Sequence, residues 1–541
     1  MGAPYDNGVD VETLRRVRCA AIRARTAAPG EGVTVTVPRT PNGSDPPAPP
    51  APPVPPALRK SLGVVDGVAI AASSTAATTS IGIGLGVTAG IVGLHLPIIM
   101  LLGFLPILGI ACAYSRLNRV EPNMGSGYVW VGRSLSPWLG FLVGWIAIAA
   151  TVVFLSYTTT VTGSATLQLV GEAGLHELAG LRLDPDSTAQ ATALGILVLV
   201  AVTFTAVVGT RSAANLQKYL LVFEYVVLLG FCGYGILFGP HPFSLDWLNP
   251  FTIPSGHQLA QGLLLSVFCY WGFDSTFSVN EEVRDPQDAS RAGFITLFTM
   301  LGLFLLGSFA FQRVLSLDEL TANGAQGLTY FGDRLADQPL AALPLIALTF
   351  SAVASLQSGV IPTVRGMFAM GRDRTLGPLW TKVSPRYGTP AAGTVAIGCV
   401  AASVAVLSLV IPKVGDVILA SVNAIGVVVS LYYALTALAA ATRFRGALRE
   451  SWSEALRAVV VPVLSALFLL GLGGYLCWSF YTSVDHFEIS PDNGWFMLLC
   501  PAVMVLTGLV AAAWAKWVRK SPYFVTGRSI APAEPGITEA A

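Results

Sequence analysis

Twelve apolar runs, each long enough to cross the hydrocarbon of a bilayer, recur between residues 62 and 513, and they constrain this chain more than any motif does. Their approximate extents are 74–90, 96–113, 139–160, 193–208, 221–238, 259–279, 294–311, 342–369, 394–411, 417–440, 460–480 and 496–513. A membrane helix needs about 20 residues. With 53% hydrophobic and 12% charged residues, the 541-residue chain is also far too apolar for a water-soluble fold of its length. The expected fold is therefore an all-α polytopic membrane protein of twelve transmembrane helices.

The basic residues orient it. If both termini lie on one side, all but Arg182, Arg313, Arg334 and Lys413 of the 32 Lys and Arg fall on that side. The positive-inside rule makes it the cytoplasmic side. The opposite loops are acidic, with Asp184, Asp186, Asp318, Glu319, Asp485 and Glu488. Residues 1–57 carry Arg15, Arg16, Arg18, Arg23 and Arg25 and then an Ala/Pro tract, and read as a disordered cytoplasmic tail. No apolar signal core precedes the runs, so insertion through the internal spans into the cell membrane is expected.

Several function classes fall away. The seven cysteines are scattered singly and the five histidines sit in connecting segments or near helix ends, so no metal, disulfide or cofactor is expected. No basic stripe interleaved with aromatics points to nucleic acid. HExxH and GxSxG motifs are absent, and no acidic ring or carbonyl-filter sequence suggests a channel.

Two runs differ from the rest. In the first, the hydroxyl cluster Ser73, Ser74, Thr75, Thr78, Thr79 and Ser80 precedes Gly82, Gly84 and Gly86. Hydroxyls compete for backbone hydrogen bonds and glycines weaken a helix, so a break within the membrane is expected; a small-residue packing face is the alternative. The sixth run is interrupted by Phe268, Cys269, Tyr270, Trp271, Gly272, Phe273 and Asp274. A carboxylate at mid-membrane is costly, which marks Asp274 as functional by default, although a helix cap would also explain it. Runs one and six occupy corresponding positions in two sets of five. Paired interruptions of that kind point to an inverted repeat with a site at the midplane.

Three stretches resemble the amino acid permeases of the amino acid-polyamine-organocation superfamily. They are the segment 121–130 with Gly140, Gly144 and Trp145; the run 268–274 followed by 281–286; and 365–378 with Thr389 and Pro390. The resemblance implies an inverted five-plus-five helix core over 58–445 with discontinuous helices 1 and 6, two further helices over 446–518, and a C-terminal tail over 519–541. It also implies alternating-access transport of an amino acid or related amine. Matched position by position, Ser73, Ser74, Thr75, Ala76 and Ala77 correspond to the helix-1 break, where many relatives have a glycine-serine-glycine break. Phe268 corresponds to the aromatic that lids the substrate. Trp271, Gly272, Phe273 and Asp274 correspond to the unwound centre of helix 6, and backbone carbonyls from Tyr270 to Gly272 would face the ammonium. Glu224, about 20 Å along a helix from Arg211, stands where some proton-coupled relatives have a lysine; it is a candidate proton carrier or a neutral helix-to-helix hydrogen-bond partner. Ser351 shares its helix with Ser355 and Ser358, which lie near where sodium-coupled relatives supply hydroxyls. Ion coupling by H⁺ in preference to Na⁺ is expected. An exchanger, or a sensor that binds without transport, remains open.

Overall fold

The computed structural model describes residues 60, 62–178, 180–322, 326–410, 414–482 and 496–526. The expected tail over 1–57, Lys413, and the loop with Asp485 and Glu488 lie outside them. Among the described residues, eleven helices are long and apolar enough to span a membrane. The chain order is α1 (Val64–Val92), α2 (Leu96–Val120), α3 (Pro137–Glu172), α4 (Thr188–Val208) and α5 (Thr210–Phe238). After α6 come α7 (Pro286–Val314), α8 (Leu343–Arg372), α9 (Ala391–Leu407), α10 (Val414–Arg443), α11 (Val461–Thr482) and α12 (Phe496–Trp517). The remaining span, α6, is in two pieces, Gly256–Cys269 and Ser275–Ser278. It brings the number of spans to the expected twelve.

Local chemistry sets the helix ends. Asp66 accepts the Gly63 N–H at 2.8 Å at the start of α1. Ser136 Oγ accepts the Trp138 N–H at 3.2 Å with Pro137 at the first helical position of α3, and Asp285 with Pro286 repeats the device at α7. A side-chain oxygen beside a proline that lacks its own N–H is a good helix start. Helix α3 runs beyond its expected end near residue 160. Its polar extension satisfies itself, because Thr159, Thr162 and Thr166 donate to the carbonyls of Leu155, Thr158 and Thr162 at 2.6 to 2.7 Å.

Small residues bring helices into contact where lipid offers no hydrophobic drive. A Cβ on Gly163 of α3 would lie 1.8 Å from the Ala191 carbonyl oxygen, and one on Gly195 of α4 would lie 1.9 Å from that of Thr159. The hydroxyls of Thr160 and Thr192 meet at 3.0 Å in the same crossing. With α3 fixed in this way, its midsection also faces α8 and α10 and forms one wall of the central site.

The two ends of the bundle differ in charge. One end, called the basic end here, carries Arg116, Arg133 and Arg372, paired with Glu454, Glu121 and Glu281. At the other, acidic end, Glu319 takes the Ser316 N–H at 2.9 Å, the Tyr330 hydroxyl at 3.1 Å and the Arg334 guanidinium. The Ser316 N–H, with Arg334, holds the Glu319 carboxyl down to about 2, so the cluster keeps its charge through neutral pH.

Candidate functional site

Helix α1 departs from helical geometry at Ala76, whose φ of 50° and ψ of 60° are left-handed. Hydroxyls on both sides of it bond back to the chain: Thr75 Oγ1, before it, donates to the Ala72 carbonyl at 2.9 Å, and Ser80 Oγ, after it, donates to the Thr75 carbonyl at 3.1 Å. A new helical stretch begins at Ala77, and no side chain caps it. The first N–H groups of a helix have no partner within it. The glycines follow the break: Gly82 and Gly84 lie in a widened π turn over Ser80–Leu85, and Gly86 begins the α-helical turn after it.

Helix α6 ends its first piece at Cys269. Trp271 N–H reaches only to the Phe268 carbonyl, at 2.9 Å, and Gly272 then takes φ 117°. This is a conformation that only glycine adopts at low cost. A Cβ at Gly272 would lie 2.7 Å from the Ser74 carbonyl carbon and 2.8 Å from the Thr75 nitrogen. The two interruptions are thus in direct backbone contact.

Asp274 stands at the start of the second piece, but its side chain does not cap it. The cap reading of this residue is replaced by another arrangement. Tyr433 donates to Asp274 Oδ1 at 3.0 Å and Tyr432 to Oδ2 at 3.4 Å, while the Trp271 indole N–H donates to the Tyr432 hydroxyl. Two adjacent tyrosines from α10 therefore tie Asp274 to Trp271.

Two cavities flank this contact and share Ser74, Phe154 and Trp271 as their partition. The cavity toward the acidic end also takes in Thr75, Ala76, Phe268 and Ser355. The cavity toward the basic end takes in Gly272, Asp274 and Ser358. Of the residues expected at the site, Ser73, Ala77, Tyr270 and Phe273 line neither. The Tyr270 hydroxyl donates to the Met100 carbonyl at 3.0 Å with its ring between Phe104 and Phe304. Phe273 is buried between Tyr114 and Tyr433. Both rings anchor the unwound segment by packing, so these two residues have only their backbone near the site.

Glu224 of α5 is 2% exposed and accepts the Thr78 hydroxyl of α1 at 3.2 Å. The Ser351 hydroxyl of α8 lies beside this carboxyl as well. Ser355 and Ser358 donate to carbonyls of their own helix at 2.6 and 3.1 Å. Their oxygens keep lone pairs free.

Below Asp274 the segment after α6 is fastened to three other elements. Leu62 pairs with it through Leu62 N–H to Glu282 O and Arg284 N–H to Leu62 O, both 3.0 Å. Glu281 accepts the Met124 N–H at 3.1 Å and both Arg372 terminal nitrogens at 3.0 to 3.1 Å. Glu282 and Arg365 form a buried ion pair at 2.8 Å, with side chains 7% and 2% exposed.

Residues not singled out from sequence are Phe154, Tyr157, Tyr432 and Tyr433. The only local sign was the tyrosine pair inside an apolar helix. Phe154 and Tyr157 read as ordinary apolar membrane residues, and only packing brings them to Trp271 and Phe268.

The sequence profile of the amino acid permease family matches residues 62–510. Among curated relatives, the chain is 26% identical over 334 residues to the low-affinity putrescine importer PlaP of Escherichia coli, covering 58% of this chain and 68% of that one. It is 28% identical to a methylthioribose transporter of Bacillus subtilis, covering 55% of this chain and 65% of the relative. To the branched-chain amino acid permease BcaP of Lactococcus lactis it is 24% identical, covering 54% and 64%. Each match spans about two thirds of the relative's own length. The profile covers nearly the whole bundle, including both interrupted helices, and on that match the chain belongs to the amino acid permease family of the amino acid-polyamine-organocation superfamily.

Proposed function

We propose that this permease is a secondary active transporter that moves an amino acid or related amine across the cell membrane by alternating access. The observation that carries this reading is the backbone contact between the two interruptions at Gly272 and Ser74. It brings Ala76, at the uncapped start of the second helical stretch of α1, and the carbonyl end at Cys269 to one cavity, so N–H groups are available for a carboxylate and C=O groups for an ammonium. The basic end faces the cytoplasm with both termini. Helices α1–α10 form the inverted five-plus-five core, and α11 and α12 flank it.

Asp274 holds the partition through Tyr432 and Trp271. The Asp274→Asn variant is expected to insert and purify normally and to lower substrate exchange by about tenfold or more, since a charge-assisted hydrogen bond is lost. Exchange at the wild-type rate in proteoliposomes would count against that role.

Coupling to H⁺ is assigned to Glu224, in preference to Na⁺ held by Ser355 and Ser358. Its support is the direct bond from Thr78, which lies just beyond the α1 break, so the state of the carboxyl bears on the helix that shapes the site. Glu224→Gln is expected to give uptake that no longer varies with external pH. A variant that keeps the wild-type pH dependence removes Glu224 as the carrier.

A further inference from the structure

The cavity toward the acidic end carries information about the substrate's side chain. Its floor holds both helix interruptions, through Ala76 on one side and Phe268 and Cys269 on the other. An amino acid whose charged groups are held there projects its side chain against Val87, Leu265, Ile418, Leu419 and Val422. These come from α1, α6 and α10 and make an apolar wall. No Asp, Glu, Lys, Arg or His contributes to this cavity. Several of its hydroxyls are committed as donors: Thr75 to Ala72, Ser80 to Thr75 and Ser355 to Ser351.

An ammonium carried on the substrate's side chain would leave water for a wall that offers no counter-charge, a transfer that strongly disfavours binding. Acids exist on either side of this cavity, but neither faces it. Asp186 lines a separate hollow toward the acidic end and accepts the Gln326 amide at 3.0 Å. Asp274 lies in the other cavity, beyond Trp271, and both its oxygens accept tyrosine hydroxyls.

We infer that the substrate carries an uncharged, apolar side chain, branched aliphatic or aromatic, and that dibasic amino acids and diamines are poor substrates. This rests on the proposed binding of the carboxylate and ammonium at the two interruptions. It favours, between the relatives' named substrates, the branched-chain class of BcaP over the diamine class of the putrescine importer.

Counterflow in proteoliposomes of the full chain tests it, with labelled leucine, phenylalanine, lysine and putrescine each run against the same unlabelled compound at equal pH on both sides. Leucine or phenylalanine is expected to exchange, with lysine and putrescine slower by on the order of 100-fold. Lysine or putrescine exchanging as fast as the apolar amino acids overturns the inference and leaves the transporter reading standing. Exchange of none of the four overturns both. Leu419→Asp, which places a carboxylate in the wall, is expected to raise lysine exchange about tenfold, and Leu419→Asn is not. Equal effects of the two variants, or no gain in a Leu419→Asp protein that still exchanges leucine, would count against the assignment.

Discussion

Replacing Gly272 by alanine is expected to abolish exchange, lowering it by on the order of 100-fold or more in proteoliposomes, while the protein still inserts and purifies as a monodisperse species. Two costs coincide at this position. A side chain at φ 117° is strained by about 1–3 kcal/mol wherever it sits. Here the added Cβ would also come within 2.9 Å of Ser74 and Thr75 backbone atoms, which cannot swing aside as a flexible side chain would. The interruptions of α1 and α6 would be forced apart by a substantial part of an ångström, and misplacement on that scale is enough to cost about 100-fold when binding groups must converge. Insertion is spared because the lengths and apolarity of the spans do not change. A Gly272→Ala protein that exchanges substrate at the wild-type rate would remove the contact between the interruptions as the basis of the site.

The second large effect is expected at the buried ion pair of Glu282 and Arg365. Its charges are almost wholly withdrawn from water, and Arg365 also approaches the Ile361 carbonyl at 3.5 Å. Removing one partner, as in Glu282→Gln or Arg365→Met, breaks a buried charged pair and is expected to cost about 3–5 kcal/mol. The double variant Glu282→Gln with Arg365→Met carries no buried charge and is expected to recover much of that loss. Thermal unfolding of the three purified variants against wild type reads the comparison. Additive losses in the double variant would show that the pair is not a coupled unit. The segment held by this pair is also held by Leu62, Met124 and Arg372 beneath Asp274.

Much of the fold was legible because the membrane imposes a length on each span. Eleven apolar runs became long helices, and the sixth became two pieces at the residues where glycine and aspartate interrupted it. The end of α3 was less legible, since hydroxyl residues that look like a boundary can bond back to their own helix and carry it onward. The site was legible at its backbone and poorly so in its side chains. The run 268–274 and the cluster around Ala76 stand out locally. Their residues nonetheless divide between cavity and packing: Trp271 and Asp274 face cavities, while Tyr270 and Phe273 are buried among aromatics.

The sequence by itself determined the class of fold and the places where two helices break, because span length, hydroxyl clusters and a glycine beside a buried carboxylate act through neighbours in the chain. Tertiary structure alone decided what meets at those breaks. Thr78 reaches Glu224 across 146 positions, and Tyr432 and Tyr433 reach Asp274 across 158 and 159. Contacts so distant in sequence depend on how helices pack, and no local pattern of residues encodes which of two tyrosines, or which face of Trp271, will close a cavity.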